Sequence, residues 1–528
     1  MHHLSSINWK ALLLQLAFLL FVVLGQWWLY GLMDIKVRAV HFDHLPLISN
    51  FLTFGKLKVL LLSALFGTSL LLTYFFPVRL QDVGRLARYL FLTVVLIQTY
   101  TIALMDYNHY YDTWFLVDRL SLIVLTGAVL YRPMLLPIYI FQLILLTGQL
   151  EYPHVIGYDH THKSLVLPIL ICFWLFMVGN RLLNNRFDWQ LYVIFLMSIL
   201  GTWYFQAGIG KFNLNWFNDN NLYNLFAASF DAGWLSFLNK STLIAVGDFL
   251  NEYHLLLQYG GIITELILPL LLLIDRRLTA VCLGFFIGFH VLVYILSGIF
   301  FWQWIVIEVI IGLILLKDRA YSQRFFTTTN LISYGFLLLL LPNFLNVIKL
   351  AWLDCGYINS YTFFLMQENG NQKRLDTSFF SPYDVGFAKN RFTYSLDEKF
   401  VSSTLGQCND MAVLNIVNDW SKRNLAENMS LIEKYKTENG QYKYNENQTA
   451  LFYHFLTEFT TNKLNYDPKW ISVLDVPVHM QQGSNQQNLT LENVVEMRIL
   501  YEEKVILPHL QFDVVRSDSA FLDLKNLK

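Results

Sequence analysis

This sequence is short of charge. Asp, Glu, Lys and Arg make up 15% of its 528 residues, against about 25% in a soluble domain. The two signs also cancel, 38 basic against 39 acidic residues for a net charge of -1, which leaves no electrostatic argument for nucleic acid or for a strongly acidic partner. Cysteine is scarcer still. Four residues, none in Cys-x-x-Cys spacing, exclude a disulfide framework. Cys172 and Cys282 fall in apolar runs, where a thiol behaves as a small hydrophobe. Cys355 and Cys408 stand in a polar tail, and an oxidising compartment would let them pair. No small-residue cleavage site follows the apolar run at 11–30, so that run reads as an anchor and not as a signal peptide.

What fills the chain instead is hydrocarbon. Apolar residues reach 55% and the mean hydropathy is +0.41, with the excess concentrated before Leu350. A helix needs roughly 20 largely apolar residues to cross a bilayer core of about 30 Å, and in lipid the backbone satisfies its own hydrogen bonds, so spanning runs are helical. Such runs stand at 11–31, 57–76, 89–105, 114–131, 134–150, 164–182, 189–208, 256–275, 278–297, 302–316 and 330–350. Three are short, so the expectation is nine to eleven spans.

Basic residues orient them, since Lys and Arg accumulate in cytoplasmic loops. With the N-terminus inside, the inner connections carry Arg79, Arg85 and Arg88, then Arg132, Arg181 and Arg186, Arg276 and Arg277, and lastly Lys317, Arg319 and Arg324. That orientation puts the tail outside the cytoplasm. It does the same for His41 and His44, the segment from Asp106 to Asp112, the loop from Glu151 to Lys163, and the connection from Gly208 to Leu255. The last is long and rich in Trp, Phe and Asn, which predicts amphipathic pieces lying at the interface.

The fold expected is therefore an all-α polytopic membrane helix bundle over 1–350, followed by an extramembrane α+β domain over 351–528. In the tail, alternation at Glu496–Tyr501 and Leu510–Val515 predicts short strands, and Met411–Tyr435 reads as helical. Asn428, Asn447 and Asn488 begin Asn-x-Ser/Thr sequons, as glycan acceptors or as chance in an Asn-rich segment.

Ionisable groups within spans are costly and so are candidates for function. Glu265 and Glu308 sit in mid-span, and His290 lies toward the outer end of its run. Each can also serve as a helix-to-helix hydrogen-bonding group. The segment Tyr158-Asp-His-Thr-His-Lys163 places His160 and His162 two apart. With His154 they could hold a metal or simply lie among lipid head groups; no cysteine or acidic cluster completes a metal signature, and none is assigned.

The most informative stretch runs from Gly201 to Trp216. Ala207, Gly208 and Gly210 let helices approach closely, and Lys211 follows directly. A lysine packed there loses hydration, which disfavours its charged form, and a neutral amine can act as a base. The other reading is a lysine snorkelling from a helix end.

Tyr204-Phe-Gln-Ala-Gly-Ile-Gly-Lys-Phe, with Trp216 beyond it, resembles the vitamin K-dependent gamma-carboxylase and its bacterial relatives, the horizontally transferred transmembrane (HTTM) proteins. The resemblance extends upstream to Asp159-His-Thr-His-Lys-Ser-Leu165 and downstream through Glu265-Leu-Ile-Leu-Pro269 to Gly288-Phe-His-Val-Leu292. It covers about residues 90–316, in the same order and with similar spacing. It implies Lys211 as the base that deprotonates a reduced quinone, His162 (or His160 in another register) as the loop histidine, and His290 as the intramembrane histidine. Tyr204, Gln206, Trp216 and Glu265 fall beside them as residues to bind the quinol. The implied chemistry consumes dioxygen, makes a strong alkoxide base, removes a proton from an unactivated carbon and adds carbon dioxide. No motif after Leu350 matches the carboxylase, so the resemblance does not choose between a peptide and a small-molecule substrate.

Three functions follow as expectations: a quinol- and dioxygen-dependent membrane enzyme acting at the outer face, a proton-coupled transporter or channel using Glu265, Glu308 and His290, or a non-catalytic scaffold or immunity-type protein that keeps the fold.

Overall fold

A computed structural model describes residues 8–33, 56–104, 115–148, 165–213, 220–317, 324–345, 356–465, 476–481 and 494–524, apart from 391, 402, 405–406 and 409–410, together with 150, 155–156 and 216–218. The N-terminal part is helical. Its helices are α1 (Trp9–Met33), α2 (Lys56–Phe75), α3 (Arg85–Ala103), α4 (Phe115–Tyr131), α5 (Leu136–Gly148), α6 (Leu167–Leu182) and α7 (Gln190–Asn213). Then come α8 (Asn221–Asp231), α9 (Lys240–Glu252), α10 (His254–Leu271), α11 (Arg276–Ser297), α12 (Trp302–Lys317) and α13 (Thr328–Leu340).

Six of the described helices are long and apolar enough to cross a membrane: α1, α2, α3, α7, α10 and α11. The other apolar runs form shorter helices, of 17 residues in α4, 13 in α5, 16 in α6, 16 in α12 and 13 in α13. Proline explains part of the difference. Pro133 and Pro168 sit in first-turn positions, where a missing N–H costs nothing but where the helix must begin. α6 is apolar all round and buried on every side, as such a helix must be. It forms the centre of one hydrophobic core to which α1, α3, α5, α7, α12 and α13 contribute, with Phe91 stacked on Phe173 at 4.2 Å. By contrast α2, α10 and α11 leave large apolar side chains on the outer surface, among them Leu70, Tyr74, Leu256 and Phe285.

The connection from Gly208 to Leu255 contains α8 and α9. Each is capped by an asparagine: Asn220 accepts from the Tyr223 N–H, and Asn239 from the Thr242 N–H. They carry the tail. Tyr223 of α8 donates its hydroxyl to the Leu507 carbonyl at 2.6 Å, and Lys504 bridges to Asp231 at 2.9 Å.

The tail centres on an antiparallel sheet of β1 (Tyr357–Gln367), β2 (Gln372–Leu375), β3 (Val494–Leu507) and β4 (Gln511–Asp523), in the order β2-β1-β3-β4. The strands expected at 496–501 and 510–515 are thus parts of one long hairpin. The helical run expected over 411–435 is broken in two, α15 (Met411–Asn418) and α16 (Leu425–Asn439), with α14 (Asp384–Ala388) before them and α17 (Glu446–Asn465) after. A 3-10 turn at Trp420–Lys422 separates them, and Asn424 starts the second, its side chain accepting from the Glu427 N–H as an N-cap. Asn428 is buried, accepts from Arg423 and donates to the Trp420 carbonyl. It cannot take a glycan without unfolding. Asn447 is exposed; Asn488 lies outside the described residues, as does Cys355 and with it the expected pairing to Cys408.

Inside the sheet domain a carboxylate is buried whole. Glu503 accepts from Tyr501 at 2.7 Å, from Tyr357, and from Lys436 at 2.7 Å. Burial, with the Glu503 charge added, pushes the Tyr501 hydroxyl well above the ordinary phenol range, so it stays a donor. Lys436→Met would strand that carboxylate, at a cost of about 3–5 kcal/mol. Calorimetry of the whole protein should show a lowered tail transition that Lys436→Met with Glu503→Gln largely restores. An unchanged transition in the single variant would mean that the ion pair carries no stability.

Candidate functional site

On α7, Tyr204, Ala207 and Lys211 recur at helical spacing and so share one face, and that face looks into a cavity of about 700 Å³. Its opposite wall is α10. There Leu268 donates to the Ile263 carbonyl, five residues back, in a π-helical turn over Ile263–Ile267. Pro269 accounts for this. It has no N–H to offer the Glu265 carbonyl four residues earlier, so the ladder widens and turns Glu265 inward. Such turns recur at functional sites.

Two glycines of α7 make the approach close. A Cβ on Gly208 would meet the backbone of Glu265 and Leu266 at 3.1 Å. A Cβ on Gly201 would land on the hydroxyl of Tyr334, which donates to the Pro269 carbonyl at 2.5 Å. The small residues before Lys211 therefore bring α7 against the distorted part of α10.

Lys211 and Glu265 are each 5% exposed and form a direct ion pair. The amine also lies 4.7 Å from the Trp216 ring centre and 5.6 Å from that of Phe289, within cation–π range. The expectation of a lone neutral lysine changes here: the group is a Lys–Glu pair in an aromatic cage. The pair carries no net charge whether the proton rests on nitrogen or on oxygen. Its place inside the protein also sets aside the reading of a lysine snorkelling outward.

A second polar chain stands beside the first. Tyr204 donates to Glu308 Oε1 at 2.7 Å and contacts His290 Nε2 at 2.5 Å. A hydroxyl has one proton to give, so the imidazole must carry its own on Nε2 and donate it to Tyr204. The other nitrogen, Nδ1, is buried and has no hydrogen-bond partner among the described residues. In that tautomer Nδ1 is an acceptor, and Glu308 Oε1 lies 3.7 Å from Nε2. Tyr204 is held by stacking on Phe286 at 3.9 Å, and His290 lies against Phe301 at 4.9 Å.

The structure thus brings Lys211, Glu265, Tyr204, Trp216 and His290 to one cavity. Gln206 is half-buried and is not part of its wall. His160 and His162 lie outside the described residues, as do His154, His41, His44 and the segment from Asp106 to Asp112. Trp203, Trp304, His479 and Met480 also line the cavity, and sequence reasoning missed all four. Trp304 had a signal, standing four residues before Glu308 on one helix. Among the described residues no group of three His, Cys, Asp or Glu side chains could hold a metal ion.

Compared with protein-family models, curated proteins and solved structures, the chain matches none of them.

Proposed function

We propose that the chain is a multi-pass membrane protein and a quinol- and dioxygen-dependent enzyme, a divergent relative of the gamma-carboxylase/HTTM family. The observation that carries the reading is the pair of polar groups, Lys211–Glu265 and His290–Tyr204, facing one largely apolar cavity, the second backed by Glu308 behind the wall. The volume suits a small lipid-soluble molecule. The residues fit a quinol: rings to pack on its ring system, and buried indole N–H groups to meet its oxygens.

In this reading the bundle spans the bilayer with its N-terminus cytoplasmic and the tail outside, as the basic loops predict. A quinol that reacts with dioxygen supplies a base strong enough to take a proton from carbon, and carbon dioxide then adds there. The chain's own part is threefold. The Lys211–Glu265 pair accepts the first hydroxyl proton. His290 Nδ1 accepts or returns the second, steadied through Tyr204 by Glu308. The apolar wall keeps water from quenching the base. The organic substrate, a peptide or a small molecule, would approach from the tail side.

The test is oxygen uptake by the purified protein in nanodiscs, with reduced naphthoquinones and benzoquinones supplied one at a time. Quinol-dependent uptake that exceeds autoxidation and fails in Lys211→Ala supports the reading. Uptake equal to that of empty discs with every quinol sinks it. The buried Glu265, Glu308 and His290 also suit a proton-coupled transporter. Proton flux into vesicles without oxygen uptake would select that instead.

A further inference from the structure

Glycines in packed helices usually mark close contact, and several here do. Besides Gly201 and Gly208, a Cβ on Gly25 would press on Leu175 and one on Gly179 would enter the Phe18 ring. Four others behave differently. Gly260 and Gly261 on α10, and Gly284 and Gly288 on α11, all line the cavity, yet a Cβ built on any of them meets nothing within 4 Å. They do not seat a neighbouring helix. They hold a slot open.

The slot leads outward. Leu256, 69% exposed on the outer surface of α10, and Phe285, 57% exposed on α11, are walls of the same cavity. The cavity therefore opens sideways, between α10 and α11, onto the apolar flank of the bundle.

A separate observation concerns the inner end. The indole nitrogens of Trp203, Trp216 and Trp304 and Nδ1 of His290 are buried, belong to lining residues, and have no hydrogen-bond partner among the described residues. A buried polar group left unpaired costs about 1–3 kcal/mol. Three unmatched donors and one unmatched ring acceptor behind one cavity wall suit a ligand whose oxygens accept from the indoles and donate a hydroxyl proton to the imidazole.

We infer that the cavity takes an amphiphile with a compact, oxygen-bearing head seated among the three indoles and His290. Its long apolar chain lies in the glycine slot, so the molecule loads sideways from the bilayer. The inference rests on the proposed reading for the membrane setting alone; it needs no quinol oxidation.

Oxidised quinones quench tryptophan fluorescence, which gives a binding readout separate from turnover. The full-length protein in nanodiscs is titrated with a benzoquinone carrying a decyl tail and with the same ring carrying a methyl group in its place. Leucines at the slot, as Gly284→Leu with Gly288→Leu, should weaken the tailed quinone about tenfold, the equivalent of about two methylene contacts. The tail-less ring should stay within about twofold of wild type. Gly127→Leu, on the exposed face of α4 with open space at its Cβ and no part in the cavity wall, should change neither. If the leucine pair does not fold, Gly261→Leu tests the same slot from α10. Equal affinities in wild type and slot variants, or equal loss of both quinones in a folded variant, would overturn the slot.

Brominated phosphatidylcholine in the discs distinguishes the source of the chain. Slot-dependent quenching that the tailed quinone relieves means the site exchanges ligands from the bilayer. Quenching it cannot relieve means a resident phospholipid fills the slot, which overturns the loading route. Loss of oxygen uptake with tail-dependent quenching intact would sink the proposed chemistry and leave the slot standing.

Discussion

Lys211→Ala is expected to lower quinol-dependent oxygen uptake by about 10²–10⁴-fold, the range that a positioned acid or base contributes. Protein insertion and the calorimetric transition of the tail should change little, because Lys211 lies at the end of α7 and outside the tail's own hydrophobic core. The deletion alone is ambiguous, since it leaves Glu265 buried without its partner, and a stranded charge can disturb the helix that bears it. Glu265→Gln with Lys211→Met resolves this. The double variant keeps the volume and removes both charges, so packing should recover while uptake does not. Lys211→Arg is informative in the opposite way. A guanidinium holds the pairing charge but does not release its proton in proteins, so the variant should bind the quinone and fail to turn it over. Activity restored in the arginine variant would show that Lys211 supplies charge only, and the base would have to be sought at Glu265 or His290.

His290 has its own signature. Tyr204→Phe removes the hydroxyl that joins it to Glu308 without touching the Lys–Glu pair. Comparing this variant with Lys211→Ala therefore asks which chain takes the first proton. A shift in the pH profile with Tyr204→Phe, and a flat loss with Lys211→Ala, is the pattern that the two-chain arrangement requires.

The helical part was visible in the sequence because long apolar helices advertise themselves residue by residue. The long runs at α1, α2, α3, α7, α10 and α11 are apolar enough to be read without partners. The small residues before Lys211 predict a close helix approach, and Gly208 makes one, against the backbone of Glu265. The Lys211–Glu265 pairing itself was not legible. The two stand in different helices, and which faces meet is set by the π-helical turn before Pro269, a backbone property. Tyr204 was named for its place in a motif, but its bridge from His290 to Glu308 depends on α11 and α12 lying side by side, which no local pattern encodes. The tail misled for a related reason. Between Met411 and Tyr435 the periodicity continues across Asn424, and only cap geometry shows that one helix ends and another starts.

The segment 476–481 was the least legible of all, and the second large effect is expected there. It crosses from the tail to the turn between α11 and α12, where Ile299 bridges to Met480. Phe300 donates to the His479 carbonyl at 2.7 Å, Gln481 donates to the Gly298 carbonyl at 2.8 Å, and Tyr294 donates to the Gln481 side chain at 2.7 Å. His479 and Met480 thereby become part of the cavity wall. Gly298 makes this possible twice over: its φ is +73°, and a Cβ would collide with the Gln481 carbonyl. Gly298→Ala should lift the strap, with a loss of turnover on the order of 10²-fold, the scale of a small misplacement at a reacting centre. Faster hydrogen exchange across 476–481 should accompany it. Gly370→Ala is the matched comparison, because Gly370 has φ +82° with nothing near its Cβ. It incurs a similar backbone strain of about 1–2 kcal/mol and displaces no strap. If both variants lose the same activity, strain alone is responsible; if only Gly298→Ala does, the tail is a wall of the site, and the chemistry belongs to the two parts of the chain together.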